Sequence, residues 1–344
     1  MLDFQMAWHD NPYTYPEWGS APRGPLIRCD GAHQGELMAS VIGPDVVTGQ
    51  PMVYHIVRCE LCIVTHVWPL PDPTALQRYY ETTFYQQDKP DYLARTARDL
   101  PWWTDCVWTP LLRRCAREAR WRYHDPFQPL RLLDVGAGPA VSLDVARRMS
   151  MQTYGIEPNE QVCDLAAQRG HIMHCGTLDT FHSTQRFHVI TAYEVLEHHV
   201  CPDEFILKCW DLLEPGGILM VQVPNDFNPL QLEACRRFAL PRWWIAPPQH
   251  LQYFSPKTLQ LCVRRCGFQI CEMRGTYPLE RFMLDDGMMY IGNSVLGRTI
   301  HKRRMAQEMG EREAGRWDDL EAVYRGNITQ RIGREIVCIA RKEG

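Results

Sequence analysis

Two carboxylates and two glycines stand at spacings that can hold a nucleoside. Asp134, Gly136 and Gly138 close the apolar run Leu130, Leu132, Leu133 and Val135, and Glu157 follows 21 residues after Gly136. Glycine has no Cβ, so a ligand can approach the backbone of such a turn closely. A carboxylate at the end of the next strand can accept hydrogen bonds from both ribose hydroxyls; its alternative is a surface glutamate in a turn. A dinucleotide fingerprint would place a third small residue where Val141 stands, which argues against that cofactor. A second constellation lies upstream. Cys59 and Cys62 form a C-x-x-C knuckle, and Cys29 and His33 precede it. Three thiolates and an imidazole are the closed tetrahedral set of a structural zinc site. His55 and His66 are substitutes for His33, and a pair of ordinary thiols is the alternative to a metal. A redox pair is disfavoured because no helix opens beside the knuckle.

The elements that must position these groups alternate. Apolar strand-like runs at 131–135, 152–156, 171–175, 187–192, 217–223 and 268–273 are separated by helical patterns such as 140–149, 159–169, 203–213 and 256–266. That alternation predicts a doubly wound, mostly parallel α/β sheet covered on both faces. Pro139 suits a first helical position, where its missing N–H costs nothing. Residues 1–70 read as a small irregular β module with short strands at 52–58 and 62–68. A helical linker or cap follows at 71–128, then the α/β domain at 129–275. Residues 276–332 show no strand pattern and are too long for an ordinary loop, so helices and a lid are expected there. Residues 335–341 supply a last strand within 333–344.

Composition narrows the partners. The chain has 344 residues, 45% apolar and 23% charged, with a formal net charge of −4. That balance gives no electrostatic case for nucleic acid or an anionic membrane. The arginines at 113, 114, 117, 120 and 122 read as a solvated helix face. No run approaches the ~18 apolar residues of a membrane span, and the first residues lack the pattern of a signal peptide. Fourteen cysteines without a framework spacing read as reduced thiols, mostly small core residues of a cytoplasmic protein.

The stretches Leu132–Ala140, Glu194–His199 (EVLEHH) and Leu212–Gly217 (LLEPGG), with Glu157 and the Cys175–Asp179 loop between them, resemble the successive motifs of class I S-adenosylmethionine (SAM) dependent methyltransferases. Ala140 stands where that family often has a third glycine. The resemblance implies a seven-stranded sheet with its last strand antiparallel. It implies SAM as cofactor, with Gly136 and Gly138 at the methionine moiety and Glu157 at the ribose. Thr177 and Leu178 would lie near adenine, and Tyr193 and Glu194 beside the sulfonium. The full set expected at the cofactor is Asp134, Gly136, Ala137, Gly138, Glu157, Pro158, Gly176, Thr177, Leu178, Tyr193, Glu194 and His198. Pro248–Pro256 resembles the H-L-x-Y-F-S segment of many such enzymes, in which a histidine faces the transferable methyl. The N-terminal knuckle resembles the zinc-binding, zinc-ribbon-like module of a subset of them, in which the first pair is usually C-x-x-C rather than the C-x3-H of Cys29 and His33.

The expected reaction is in-line methyl transfer from SAM to a small-molecule acceptor. A hydroxyl or enolisable carbon must also lose a proton, and histidine, with an unperturbed pKa of ~6.5, suits that task near neutrality. His250 is the first candidate base, with His198 and His199 behind it; a purely structural role in docking its loop is the alternative for His250. Tyr85 belongs to an aromatic set (Tyr79, Tyr80, Phe84, Trp102, Trp103, Trp243 and Trp244) that can close over the cofactor, where ring faces attract a sulfonium. Two further uses stand beside this one. SAM can itself be the substrate, losing its aminopropyl group and releasing methylthioadenosine. A zinc module on a degenerate transferase is the other, and the intact Asp134, Gly136, Gly138 and Glu157 argue against it.

Overall fold

The computed structural model describes residues 35–120 and 128–343, so Cys29 and His33 lie outside the described residues. Its strands are β1 (Gly35–Pro44), β2 (Pro51–Cys59), β3 (Thr65–Trp68), β4 (Arg131–Val135), β5 (Gln152–Glu157), β6 (Ile172–Cys175), β7 (Phe187–Tyr193), β8 (Leu213–Pro224), β9 (Gln252–Tyr253), β10 (Phe268–Gly275) and β11 (Glu335–Lys342). Seven of them build one sheet in the order β10-β11-β8-β7-β4-β5-β6. All neighbours pair in parallel except β11, which runs antiparallel to both β10 and β8. This is the seven-stranded arrangement that the resemblance implies. Strand order reverses between β4 and β7, and the crevice beyond their carboxyl ends is where such sheets bind ligands.

Alternation along each strand fills a core on both faces. Leu133 and Val135 of β4 pack with Phe187, Ile190, Leu219 and Val221 on one side. Leu132 packs with Val189, Ile218 and Met220 on the other. A strand buried on both faces reads as a continuous apolar run, which is why β4, β7 and β8 were visible in the letters. Helices Val141–Arg148, Glu160–Gln168, Pro202–Leu212 and Pro256–Arg265 cover the sheet. Ser255 caps the last of these by accepting from the Thr258 N–H at 3.3 Å, with Pro256 in the first turn. The 276–332 segment holds the helices Arg281–Leu284, Ser294–Glu313 and Trp317–Thr329.

The smaller sheet has the order β1-β2-β3-β9. Its fourth strand comes from residues 252–253, far along the chain, with Thr65 opposite Tyr253 and His66 opposite Gln252. The sheet is therefore stitched to the segment that carries His250. Arg265 adds a second link by donating to the Cys62 carbonyl at 2.8 Å while pairing with Asp203 at 2.5 Å. On the helix Thr109–Arg120, Leu111, Leu112, Cys115 and Ala119 are buried while Arg113 and Arg117 are exposed. One expectation is corrected here. Cys163 and Cys175 are joined by a disulfide, because the helix Glu160–Gln168 lays Cys163 against the end of β6, with a Cα separation of 5.8 Å. The thiols are thus not uniformly reduced.

Candidate active site

The turn after β4 is shaped by its glycines. Gly136 and Gly138 have φ of 70° and 48°, in the left-handed region that glycine enters without strain. A Cβ on Gly136 would sit 2.5 Å from Val195 Cγ2, and one on Gly138 would sit 3.3 Å from the Tyr85 hydroxyl. Ala140, in place of a third glycine, also has a positive φ of 56°. The helix begins one residue later, at Val141, so Pro139 lies before it rather than in its first turn.

The two carboxylates are held by different partners. Glu157 Oε2 accepts from the Gly138 N–H at 2.9 Å, and Oε1 accepts from the Asn159 N–H at 3.0 Å. The carboxylate thereby joins the glycine turn to the next helix, and each oxygen keeps a lone pair for a ligand. Burial pushes its pKa up to about 7 against the pull of those two N–H groups. Asp134 accepts from the Ser142 hydroxyl and from the Thr191 hydroxyl, the latter at 2.5 Å. Burial pushes it up to about 6. Asp134 braces the turn from behind.

In front of the turn opens a cavity of about 1350 Å³, and every residue expected at the cofactor or as a catalytic group lines it. Tyr80, Phe84, Tyr85, Trp102, Trp103, Trp243 and Trp244 line it as well, whereas Tyr79 does not. Tyr79 instead accepts from Gln249 Nε2 at 2.9 Å. Burial and the Glu157 charge hold the Tyr85 phenol well above its ordinary range. Glu194, at φ 55°, projects into the cavity, open to it while protein surrounds it. That enclosure, with Glu335 nearby, pushes its pKa up to about 7.

Opposite the glycine turn lie His198 and His250, ring centres 5.0 Å apart. His198 Nδ1 is 2.7 Å from the Gln249 carbonyl. A carbonyl only accepts, so Nδ1 carries the proton and Nε2 is left with a lone pair. Burial lowers the pKa of His198 to about 4 and that of His250 to about 3. Both imidazoles are neutral at pH 7. His199 points elsewhere, to Asp179 at 3.4 Å.

On β2, β3 and the turn between them, Cys59, Cys62 and His66 offer donor atoms within 4.8 Å of one another, all three residues buried. His66 Nδ1 lies 2.8 Å from the Val67 carbonyl, a bond that turns Nε2 toward the thiols' side as a ligand-competent nitrogen. The donor chemistry fits zinc, one ligand short of a closed set. His55, by contrast, faces the Ser40 hydroxyl at 2.9 Å.

Several cavity residues were not singled out in the sequence. Glu197 stood inside the EVLEHH stretch, between two residues that were named. Asp226 and Glu280 are buried with one carboxylate oxygen each lacking a hydrogen-bond partner. Together with Lys89, Tyr290 and Arg334 they line the same cavity. They come from the turn after Phe84–Asp88, from a loop after β8, from the 276–332 segment and from the residue before β11, and no local pattern marks them.

A family model described as a methyltransferase domain matches residues 103–273, just under half of the chain. A ubiquinone biosynthesis O-methyltransferase of Bradyrhizobium sp. (strain ORS 278) is 31% identical over 102 residues, which cover 28% of this chain and 40% of that protein. One of Nitrobacter winogradskyi is 31% identical over 154 residues, or 42% of this chain and 59% of that protein. The chain thus spans between 40% and 59% of the length of these curated relatives. Among solved structures, the plantazolicin methyltransferase BpumL in complex with SAH superposes with a TM-score of 0.45 at 13% identity, covering 78% of this chain and 94% of that one. No helix among the described residues is long and apolar enough to cross a membrane.

Proposed function

We propose that the chain, whose residues 103–273 match a methyltransferase-domain family model, transfers a methyl group from SAM to an oxygen of a small-molecule acceptor. One observation carries this reading. The Glu157 carboxylate, fixed between the Gly138 and Asn159 N–H groups, faces the same cavity as the histidine pair. Cofactor-type and proton-handling groups thus share one space. The volume supports two ligands: about 1350 Å³ exceeds the ~300–1,000 Å³ typical of a single small-molecule site. A cavity sealed around SAM alone, as an aminopropyl-releasing enzyme would have, needs less. The curated relatives are named O-methyltransferases, which favours oxygen as the acceptor atom.

Glu157 takes the ribose hydroxyls and the Gly136–Gly138 turn borders the methionine end. Thr177, whose buried hydroxyl lacks a partner, and Leu178 flank the adenine. Tyr193 and Glu194 stand beside the sulfonium. The acceptor enters between His250 and the helices of 276–332, which act as its lid. Holding nucleophile and methyl at ~3–3.5 Å supplies most of the acceleration, up to ~7–11 kcal/mol in favourable cases. His250, neutral at pH 7, is the group to which the acceptor proton first passes. Cys59, Cys62 and His66, with Cys29 or His33 as fourth ligand, hold a structural zinc that secures the smaller sheet. Isothermal titration with S-adenosylhomocysteine (SAH) tests the reading at its base: one bound equivalent per chain is expected. Absence of binding sinks it. Release of methylthioadenosine from SAM without any acceptor would replace it.

A further inference from the structure

We infer that Glu197, His198 and His250 form a binding site for a divalent first-row transition-metal ion on the acceptor side of the cavity. One donor atom from each lies within 4.8 Å of the other two. The distances within the group separate a metal from a hydrogen bond. His198 Nε2 stands 3.7 Å from Glu197 Oε1. That is too long for a hydrogen bond, which needs ~2.7–3.2 Å. It suits two donors on one ion with bonds of ~2.0–2.2 Å.

The protonation pattern points the same way. Because His198 gives its Nδ1 proton to the Gln249 carbonyl, its Nε2 lone pair faces the Glu197 carboxylate. Two acceptors oppose each other with no donor between them. Glu197 is 1% exposed, and its second oxygen has no hydrogen-bond partner. His250 Nδ1 is likewise buried without a partner. Two orphaned buried polar atoms in one cluster want a cation. The Gln249 carbonyl on His198 is the outer contact that fixes the tautomer of a metal-ligating histidine. Two imidazoles and one carboxylate favour a borderline ion such as Fe²⁺ or Zn²⁺ and accommodate Mn²⁺, whereas Mg²⁺ prefers oxygen ligands.

The use of the ion, though not its binding, rests on the methyl-transfer reading. The ion would take the acceptor hydroxyl as a further ligand and acidify it. With the ion bound, His250 serves as a ligand and the proton passes to the Glu194 carboxylate; His250 takes the proton in the metal-free chain. An oxygen lone pair forms the O–CH₃ bond while the S–CH₃ pair returns to sulfur. The sulfonium thus becomes the neutral thioether of SAH.

Titration of the EDTA-stripped full chain with Mn²⁺, followed by the loss of the free-ion electron paramagnetic resonance signal, tests this. The probe avoids the thiolate cluster, which disfavours Mn²⁺. One ion per chain is expected. Glu197→Gln and His250→Asn should weaken its binding at least ~10-fold, in line with the loss of a ligand or its support. Cys59→Ser with Cys62→Ser should leave it in place. SAH titration of each variant shows whether the fold and cofactor crevice survive. SAH binding without Mn²⁺ uptake by the unaltered chain, or uptake unchanged in E197Q and H250N, overturns the metal site and leaves methyl transfer standing. Failure of SAH binding by the unaltered chain overturns the function instead.

Discussion

The glycine crevice and the histidine chamber face each other across one cavity, and their carboxylates are treated in opposite ways. In the crevice both oxygens of Glu157 accept backbone N–H groups, and Asp134 accepts two hydroxyls. In the chamber Glu197, Asp226 and Glu280 each leave an oxygen without a partner, as His250 leaves a nitrogen. A group already satisfied by the backbone is preorganised and adds hydrogen bonds to a ligand at little cost. A group left unsatisfied in a buried site waits for whatever completes it. The crevice carboxylates are finished before the cofactor arrives; those of the chamber are finished only by its contents.

If that contrast holds, damage on one side should spare the other. The largest effect is expected from His250→Ala. Turnover should fall about 10²–10⁴-fold, the range for loss of a positioned proton-transfer group, while SAH affinity changes by no more than about twofold. A parallel loss of SAH binding in calorimetry would erase the distinction between the halves. Gly136→Val is the reciprocal change. The left-handed backbone at φ 70° and the contact with Val195 combine about 1–3 kcal/mol of strain with a collision. SAH affinity should drop about 100-fold, with Mn²⁺ uptake retained.

The same contrast governs what the letters disclosed. The crevice is made of residues adjacent in sequence at a strand end, so Asp134, Gly136, Gly138 and Glu157 were legible, as were the strand positions that carry them. The chamber is assembled from β9, the 276–332 helices and the approach to β11. Arg334 and Glu280 meet only through the topology. β9 is two residues long, shorter than any periodicity can register, and β1 was missed because its exposure pattern is mixed and mostly open. His66 stood among substitutes for His33, and only the register of β2 against β3 brings it to Cys59 and Cys62.

A smaller effect should cross from the outer sheet to the chamber. Val67 N–H donates to the Leu251 carbonyl at 2.9 Å, and Leu251 N–H donates to the Glu197 carbonyl at 2.9 Å. The sheet that carries the cysteine knuckle thus sets the height of His250 through two backbone hydrogen bonds on the neighbouring Leu251. Removing the thiolates by Cys59→Ser with Cys62→Ser should lower turnover about 10-fold through misplacement of the acceptor side. SAH affinity should stay unchanged. Zinc content by elemental analysis should fall by one equivalent. Unaltered turnover would show that the strand pairing alone holds the chamber.

The smallest effect belongs to the crevice and distinguishes a satisfied carboxylate from an idle one. Glu157 titrates at about 7 in the unliganded protein, above the ~4.3 of an unfolded chain. Ribose hydroxyls donate to its ionised form, so binding lowers that pKa and releases a proton. Affinity for SAH should therefore rise up to about tenfold from pH 6 to pH 8, as the ionised fraction grows. Stability moves the other way. A raised carboxyl pKa means the folded state binds more protons than the unfolded one between ~4.5 and 7, so the unliganded fold loses this contribution as pH rises through that window. SAH restores it by favouring the ionised form in the folded state, so its stabilising shift in Tm should be larger at pH 8 than at pH 6. Glu157→Gln should flatten both dependences while keeping acceptors for the Gly138 or Asn159 N–H. A pH slope that survives in E157Q would place the titrating group elsewhere, with Glu194, also pushed up to about 7, the next carboxylate to replace.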